Sequence, residues 1–338
     1  MSTTTARPPG TTGTHDADAP PARPRRGVPW LLLASLGVAA LLVASLLTGQ
    51  YDVMGADDGA WMFAVTRVPR TVALVLAGAA MAVAGLVMQM LTQNRFVEPT
   101  TTGTTEWAGL GLLAVTVLAP TAGIMTRMGV AILASFVGTM LFFLVLRRIT
   151  LTSSLVVPVV GIMLGAVVGA VSSYLALATN SLQYVSVWFA GSFTSVFRGQ
   201  YEPLWLVLLV VVAIVVVADR FTVAGLGRDV ATNVGLDHDK VVLLGAGLVA
   251  VATGVVAVVV GNLPFVGLVV PNVVALRRGD DLRSNLPWVV VLGVGLVAAC
   301  DLVGRLVIAP FEVPVSLVLG VVGSVVFITM LVRGRRRG

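Results

Sequence analysis

Asp219–Lys240 reads DRFTVAGLGRDVATNVGLDHDK, the longest polar interruption in a chain that is otherwise almost continuously apolar. It lies about two-thirds of the way along, between hydrophobic runs of membrane-spanning length. Gly225 and Gly227 loosen the backbone, and Arg228–Val234 is long enough for a two-turn helix. Gly235 stands where a glycine favours the end of such a helix. Asp237 can then cap the helix that follows. Two readings stay open for these residues: a solvated connector with helical tendency, or a folded elbow offered to a soluble partner.

Around that stretch, 57% of the 338 residues are hydrophobic and only 11% charged. Soluble domains carry roughly 25% charged residues, so this composition specifies an all-α polytopic membrane protein. No long run alternates as a strand would, and helices are the spanning elements that remain. The excess of 22 basic over 16 acidic residues sits in arginine-rich loops and tails, a topology signal that does not point to nucleic acid. Cys300 is the single cysteine, so no intrachain disulfide can form. His15 and His238 fall in a tail and a loop, and no cluster of ligands for a transition metal is expected within the spans.

Residues 1–27, rich in Thr, Pro, Ala and Arg, are expected to form a disordered cytoplasmic tail. Residues 28–338 are expected to form one ten-helix domain, with 219–240 as its cytoplasmic loop. Arg23–Arg26 before Pro29–Thr48 resembles the start of a signal peptide, but the apolar run is long and further spans follow, so it reads as a retained first span. Gln50–Arg70 reads as a polar connection. The later spans are Thr71–Leu91, Trp107–Met125, Val130–Leu146, Val156–Ala178, Pro203–Ala218, Val241–Val260, Phe265–Leu276, Pro287–Val307 and Pro314–Val332. Phe265–Leu276 is short for a full crossing, and Trp188–Phe197 reads as a partial or re-entrant element. With the N-terminus inside, seventeen of the 22 basic residues fall on the inner side. That bias favours ten spans and places both termini, and Asp219–Lys240, in the cytoplasm.

Arg67, Arg70, Arg127, Arg198 and Arg305 are the outer-side exceptions. Arg67 and Arg70 share a helical face if the second span begins early. Asp301 precedes Arg305 by four residues, the favourable order for an intrahelical pair. The three arginines of the second and ninth spans read either as snorkelling, locally paired charges or as a ring that captures acidic side chains of an external protein. Gly261–Asn272, GNLPFVGLVVPN, is too rich in Gly and Pro for an unbroken helix, and such backbone at membrane depth is tolerated where it is buried or lines a cavity. Its partial echo, NRFVEPTTT at Asn94–Thr102, follows the second span, as an inverted repeat requires. Asn94, Pro99, Phe265, Gly267, Pro271 and Asn272 are therefore candidates for a pathway or gate. Gly78, Ala82 and Gly85, and Gly161, Gly165 and Gly169, are spaced for close helix packing. Met81, Met88, Met90 and Met163 read as packing or as a soft translocation wall. No phosphate-binding loop is present and Lys240 is the one lysine, so the chain does not hydrolyse ATP by that route. Carboxylates within the spans are nearly missing apart from Asp301, which weakens an ion-coupled carrier. No polar catalytic cluster suggests a membrane enzyme.

RVPR, LAGAAMAVAGLVMQMLTQNRFVEP, GRDVATNVGL, PFVGLVVPN, the Asp301–Arg305 segment and PVSLVLGVVGSVVF, in that order, together resemble the iron-siderophore and cobalamin permease family of ABC importers, from about Arg67 to the C-terminus. The resemblance implies a type II importer fold of ten helices, with two permease subunits, identical or paralogous, around one pathway. It also implies two cytoplasmic ATPases that use ATP and Mg, an external substrate-binding protein, and a ferric siderophore as cargo. Gly227, Arg228, Asp229, Ala231, Gly235 and Leu236 map to the ATPase-coupling helix. Arg67, Arg70 and Arg305 map to arginines that meet the binding protein. Asn272, where members often carry histidine, and GTTEW at Gly103–Trp107 are departures. Both look like the branch for catecholate-type siderophores such as petrobactin. Haem or cobalamin as cargo, and an ion-coupled secondary transporter, are the alternatives.

Overall fold

The computed structural model describes residues 27–49, 58–149, 155–279 and 281–335, and all regular structure among them is helical. The tail expected to be disordered lies outside the described residues, apart from Gly27. Each of the ten expected spans meets a helix. These are α1 (Gly27–Leu47), α3 (Val68–Thr92), α4 (Thr104–Leu118), α5 (Ile124–Leu146), α6 (Val156–Ala178), α8 (Trp205–Val216), α11 (His238–Val259), α12 (Val266–Arg278), α13 (Leu282–Leu306) and α14 (Val315–Arg335). Between them lie the short helices α2 (Gly59–Met62), α7 (Leu182–Phe189), α9 (Ala218–Gly225) and α10 (Arg228–Asn233). Six of the described helices are long and apolar enough to cross a membrane unaided, and α8 and α9 form a pair bent by 62°. A count of ten is therefore approximate: α4 and α12 are short.

Two boundaries differ from the sequence reading. The connection expected over Gln50–Arg70 is helical from Gly59, because α2, a π turn over Phe63–Arg67 and α3 run on as one 34-residue apolar helix. The apolar side chains of GAWMFAV suit an outward continuation of α3 better than a polar loop, and among these residues only Gly59 is buried. The third span begins at Thr104, not Trp107, which brings Glu106 into its first turn. Asp301 is thus not the one carboxylate on a spanning helix.

α3 is the central pillar. It packs against α13, α11 and α12, and small residues set how closely. A Cβ on Gly78 would lie 2.9 Å from the Gly293 carbonyl oxygen of α13, and one on Gly85 would overlap the backbone of Gly267 in α12. Such contacts replace the hydrophobic drive that lipid removes. Met81 and Met88 are buried in this core, whereas Met163 on α6 is exposed. α6 sits at the edge, packed through Gly161 and Gly165 onto the Thr101–Gly103 backbone. Gly169 meets nothing.

Candidate functional site

Three regions gather the residues singled out by sequence. The first is the elbow of α9 and α10. Gly227, at φ +111°, turns the chain into α10. That helix ends in a Schellman motif: Gly235 N–H donates to Thr232 O at 2.9 Å, and Leu236 N–H to Ala231 O at 2.9 Å. Gly235 has φ +82°, a conformation that glycine adopts without penalty. Asp237 then accepts from the Lys240 N–H as the cap of α11, and its hydrogen bonds to Lys240 hold its carboxyl below the usual range. Ala231 is buried, so α10 rests on the body by that face. Asp239 accepts from Arg147 of α5 at 2.7 Å and lies 3.4 Å from Arg228. Leu226, Val230 and Val234, four residues apart, are all exposed.

The second region is a junction at the foot of α3. Gln93, at φ +49°, ends α3, and residues 94–103 fold back along α6 before α4 begins. Opposite them, α12 begins after Phe265, a non-glycine residue at φ +65°. From Arg70 to Gly85, where α3 touches α12, is about 22 Å along the helix at about 1.5 Å per residue. The start of α12 is therefore deep in the body, which explains its length. Here the two echoing segments meet. Glu98, fully buried, accepts from the Phe265 N–H at 2.9 Å and from Thr100, so its carboxylate caps a helix that belongs to the other half of the chain. Asn272 Nδ2 donates to Arg95 O at 2.7 Å, and Gln89 Nε2 to Gly267 O at 3.1 Å. Asn94, Pro99, Gly267, Pro271 and Asn272 are buried in this junction and Phe265 is partly so. Glu98 and Gln89 were not singled out. The signal for Glu98 was its place inside NRFVEPTTT, an acid just after an apolar span.

The third region is a charged knot at the opposite end of α3. Arg70 donates to Asp301 at 2.8 Å and to Glu312 at 3.0 Å. Thr194 donates to the second oxygen of Glu312 at 2.7 Å. Burial pushes the Glu312 carboxyl up, but the hydrogen bonds and charge of Arg70 hold it below its ordinary value. Arg305 donates to Ser45 O at 3.0 Å and to Thr48 O at the end of α1. It lies 3.8 Å from Asp301, so the hydrogen-bonded partner of that aspartate is Arg70, not the arginine one turn away. Arg67 donates to Leu46 O at 3.1 Å. The three arginines thus share one end of the molecule, but Arg70 and Arg305 are mostly buried against groups of this chain. Glu312 was not singled out by sequence.

Known proteins share this architecture. The chain is 57% identical to the petrobactin import system permease protein FatD of Bacillus anthracis over 305 residues, 90% of this chain and 91% of that protein. It is 39% identical to the ferric-anguibactin transport system permease protein FatD of Vibrio anguillarum, over 83% of this chain and 90% of that one. A solved structure, described as an inward-facing conformation of a metal-chelate type ABC transporter, superposes with a TM-score of 0.78 at 21% identity, over 90% of this chain and 99% of that one. The FecCD transport family matches residues 31–333, nearly the whole of the helical body that carries the elbow, the junction and the knot, and the chain belongs to that family.

Proposed function

We propose that this chain is the permease subunit of an ATP-driven importer that carries a ferric siderophore across the cytoplasmic membrane, and that it is not itself an enzyme. Its relatives in petrobactin and anguibactin import support the cargo class. The carrying observation is the elbow: Leu226 before the Gly227 turn, Val230 on α10 and Val234 at its end all stand exposed on a folded, ion-paired loop between two spans. Exposed apolar side chains on a polar loop fit a protein partner, here one of two cytoplasmic ATPases that bind ATP and Mg. Both termini face the cytoplasm in this reading, and a second permease subunit completes the pathway. Closure of the ATPases pushes on Gly227–Leu236, with Arg228 and Asp229 at its leading edge, and tilts the helices around the pathway.

Replacing Arg228–Val234 with a Gly/Ser linker is expected to abolish co-purification with the ATPase and ATP-driven uptake in proteoliposomes. Intact complex recovery, or uptake driven by an ion gradient alone, would contradict the proposal. Arg67, Arg70 and Arg305 are the proposed docking points for an external binding protein. Reversing Arg70 or Arg305 to Glu would set a carboxylate against Asp301, so the docking test is Arg67→Gln. It is expected to weaken binding-protein affinity at low salt, and unchanged affinity would count against this role.

A further inference from the structure

Beside α7, on the side of the knot, lie two adjoining cavities of about 450 and 140 Å³. Tyr184 and Trp188 line both. Trp188 is fixed, because its indole N–H donates to Ala257 O, whereas Tyr184 is largely exposed. The larger cavity falls in the range of small-molecule sites, about 300–1,000 Å³. The smaller is close to the roughly 150 Å³ that holds a single benzene-sized ring.

Among the polar residues that line the smaller cavity, Thr116 already donates its hydroxyl to Leu112 O, which leaves Ser172 and Arg127 beside the aromatic pair. Ser172 of α6 is 3% exposed and its hydroxyl has no hydrogen-bond partner among the described residues, a cost in an apolar setting unless something fills it. Arg127 of α5 also lines it. Its Nε and Nη2 donate to Ala122 O and Pro120 O, which fixes the side chain and leaves Nη1 for a ligand. No carboxylate lines either cavity among the described residues. A hydrogen-bonded series links the knot to the larger cavity: Glu312 accepts from Arg70 and from the Thr194 hydroxyl, which is bonded in turn to the hydroxyl of Ser192 in the cavity wall.

We propose that these cavities form a receiving site for a metal chelate with anionic aromatic arms, one ring entering the smaller cavity between Tyr184 and Trp188 while Arg127 and Ser172 bind its oxygens. Rings stack on the aromatic pair, and the guanidinium supplies the one charge. A neutral, non-aromatic chelate satisfies neither. The site deepens the siderophore reading and rests on it for the cargo class alone.

The test is equilibrium dialysis of the full chain in lipid nanodiscs against a gallium(III) tris-catecholate and a gallium(III) tris-hydroxamate. Saturable binding of the tris-catecholate is expected, at least about tenfold tighter than the tris-hydroxamate. Arg127→Gln, Ser172→Ala and Tyr184→Ala are each expected to lower that affinity several-fold or more, while Arg127→Lys and Tyr184→Phe retain most of it. Equal affinity for the two chelates, or unchanged affinity in the first three variants, would overturn the site. So would an inaccessible cavity already filled by an acyl chain, detected as quenching of Trp188 by brominated lipid that the tris-catecholate does not relieve. The two readings fail separately. ATPase association that survives the Gly/Ser replacement, with intact chelate binding, speaks against the importer alone, and intact ATP-driven uptake with unaltered affinity in the variants speaks against the site alone.

Discussion

The knot and the junction both use a glutamate to join parts of the chain that are far apart in sequence, and they do so in opposite settings. Glu312 is partly exposed, shares Arg70 with Asp301, and reaches Thr194 across a loop. Glu98 is sealed, meets no cation among the described residues, and accepts from the backbone at the start of α12. A partly exposed carboxylate such as Glu312 can trade a protein partner for water, while one enclosed with its backbone donor cannot. The knot therefore has a solvent-facing rim around the buried Arg70–Asp301 pair, and Glu98 has no such exposure.

The largest effect should come from prying the junction apart. Gly85→Val places a branched Cβ where the Gly267 backbone already sits, and neither backbone can give way without moving α3 or α12. The expected outcome is loss of monodisperse protein on size-exclusion chromatography. A well-folded Gly85→Val chain would break the comparison at its root. Next is Arg70→Ala, which takes from Asp301, only 3% exposed, its hydrogen-bonded cation and leaves Arg305 at 3.8 Å. Removing one partner of a buried pair costs about 3–5 kcal/mol, read as a marked fall in thermal midpoint in detergent. Arg70→Ala with Asp301→Asn should recover much of it. Recovery shows that the loss was the uncompensated charge, and its absence would give the knot a packing role instead.

How far the sequence could see follows the same division. The spans were legible because each apolar run is long, and the elbow because Gly227, Gly235 and Asp237 announce a turn, a stop and a start in local chemistry. Gly78 and Gly85 signalled close packing, but not that their partners are Gly293 and Gly267, about two hundred residues away. The pairing of Asp301 was legible only in part: Arg305 does lie at ion-pair distance, 3.8 Å, but the closer partner comes from another helix. An i, i+4 rule sees Arg305, and only the fold brings Arg70 to 2.8 Å. Glu98 was hidden because a lone acid in a loop ordinarily faces water. Its burial depends on the loop folding back into the body to meet α12.

Smaller effects sharpen the contrast. Glu98→Ala leaves the partly buried Phe265 N–H without its acceptor, a loss of about 1–3 kcal/mol. Glu98→Gln keeps an acceptor and gives up only the charge at the helix start, worth about 0.3–1 kcal/mol. If Gln costs as much as Ala, the negative charge matters more than the hydrogen bond.

The smallest effect is the pH response of the knot, and it separates the two glutamates most cleanly. The folded Glu312 carboxyl sits below its usual value of 4.5, so above that value the unfolded and folded states are both ionised and its stabilising contribution is fully present. As pH falls below 4.5 the unfolded state takes up the proton first, and the contribution is lost as pH falls through the folded value. Glu312→Gln should therefore flatten the fall in thermal midpoint between about pH 5 and pH 3. Raising salt should reproduce part of that loss in the native chain, because a partly exposed pair is screened. Glu98 has no such route to solvent ions, so its contribution, measured as the difference between the native chain and Glu98→Gln, should hold steady from low to high salt. A salt-sensitive Glu98 difference would mean that water reaches the junction, and the distinction between a solvent-facing glutamate and a sealed one would no longer hold.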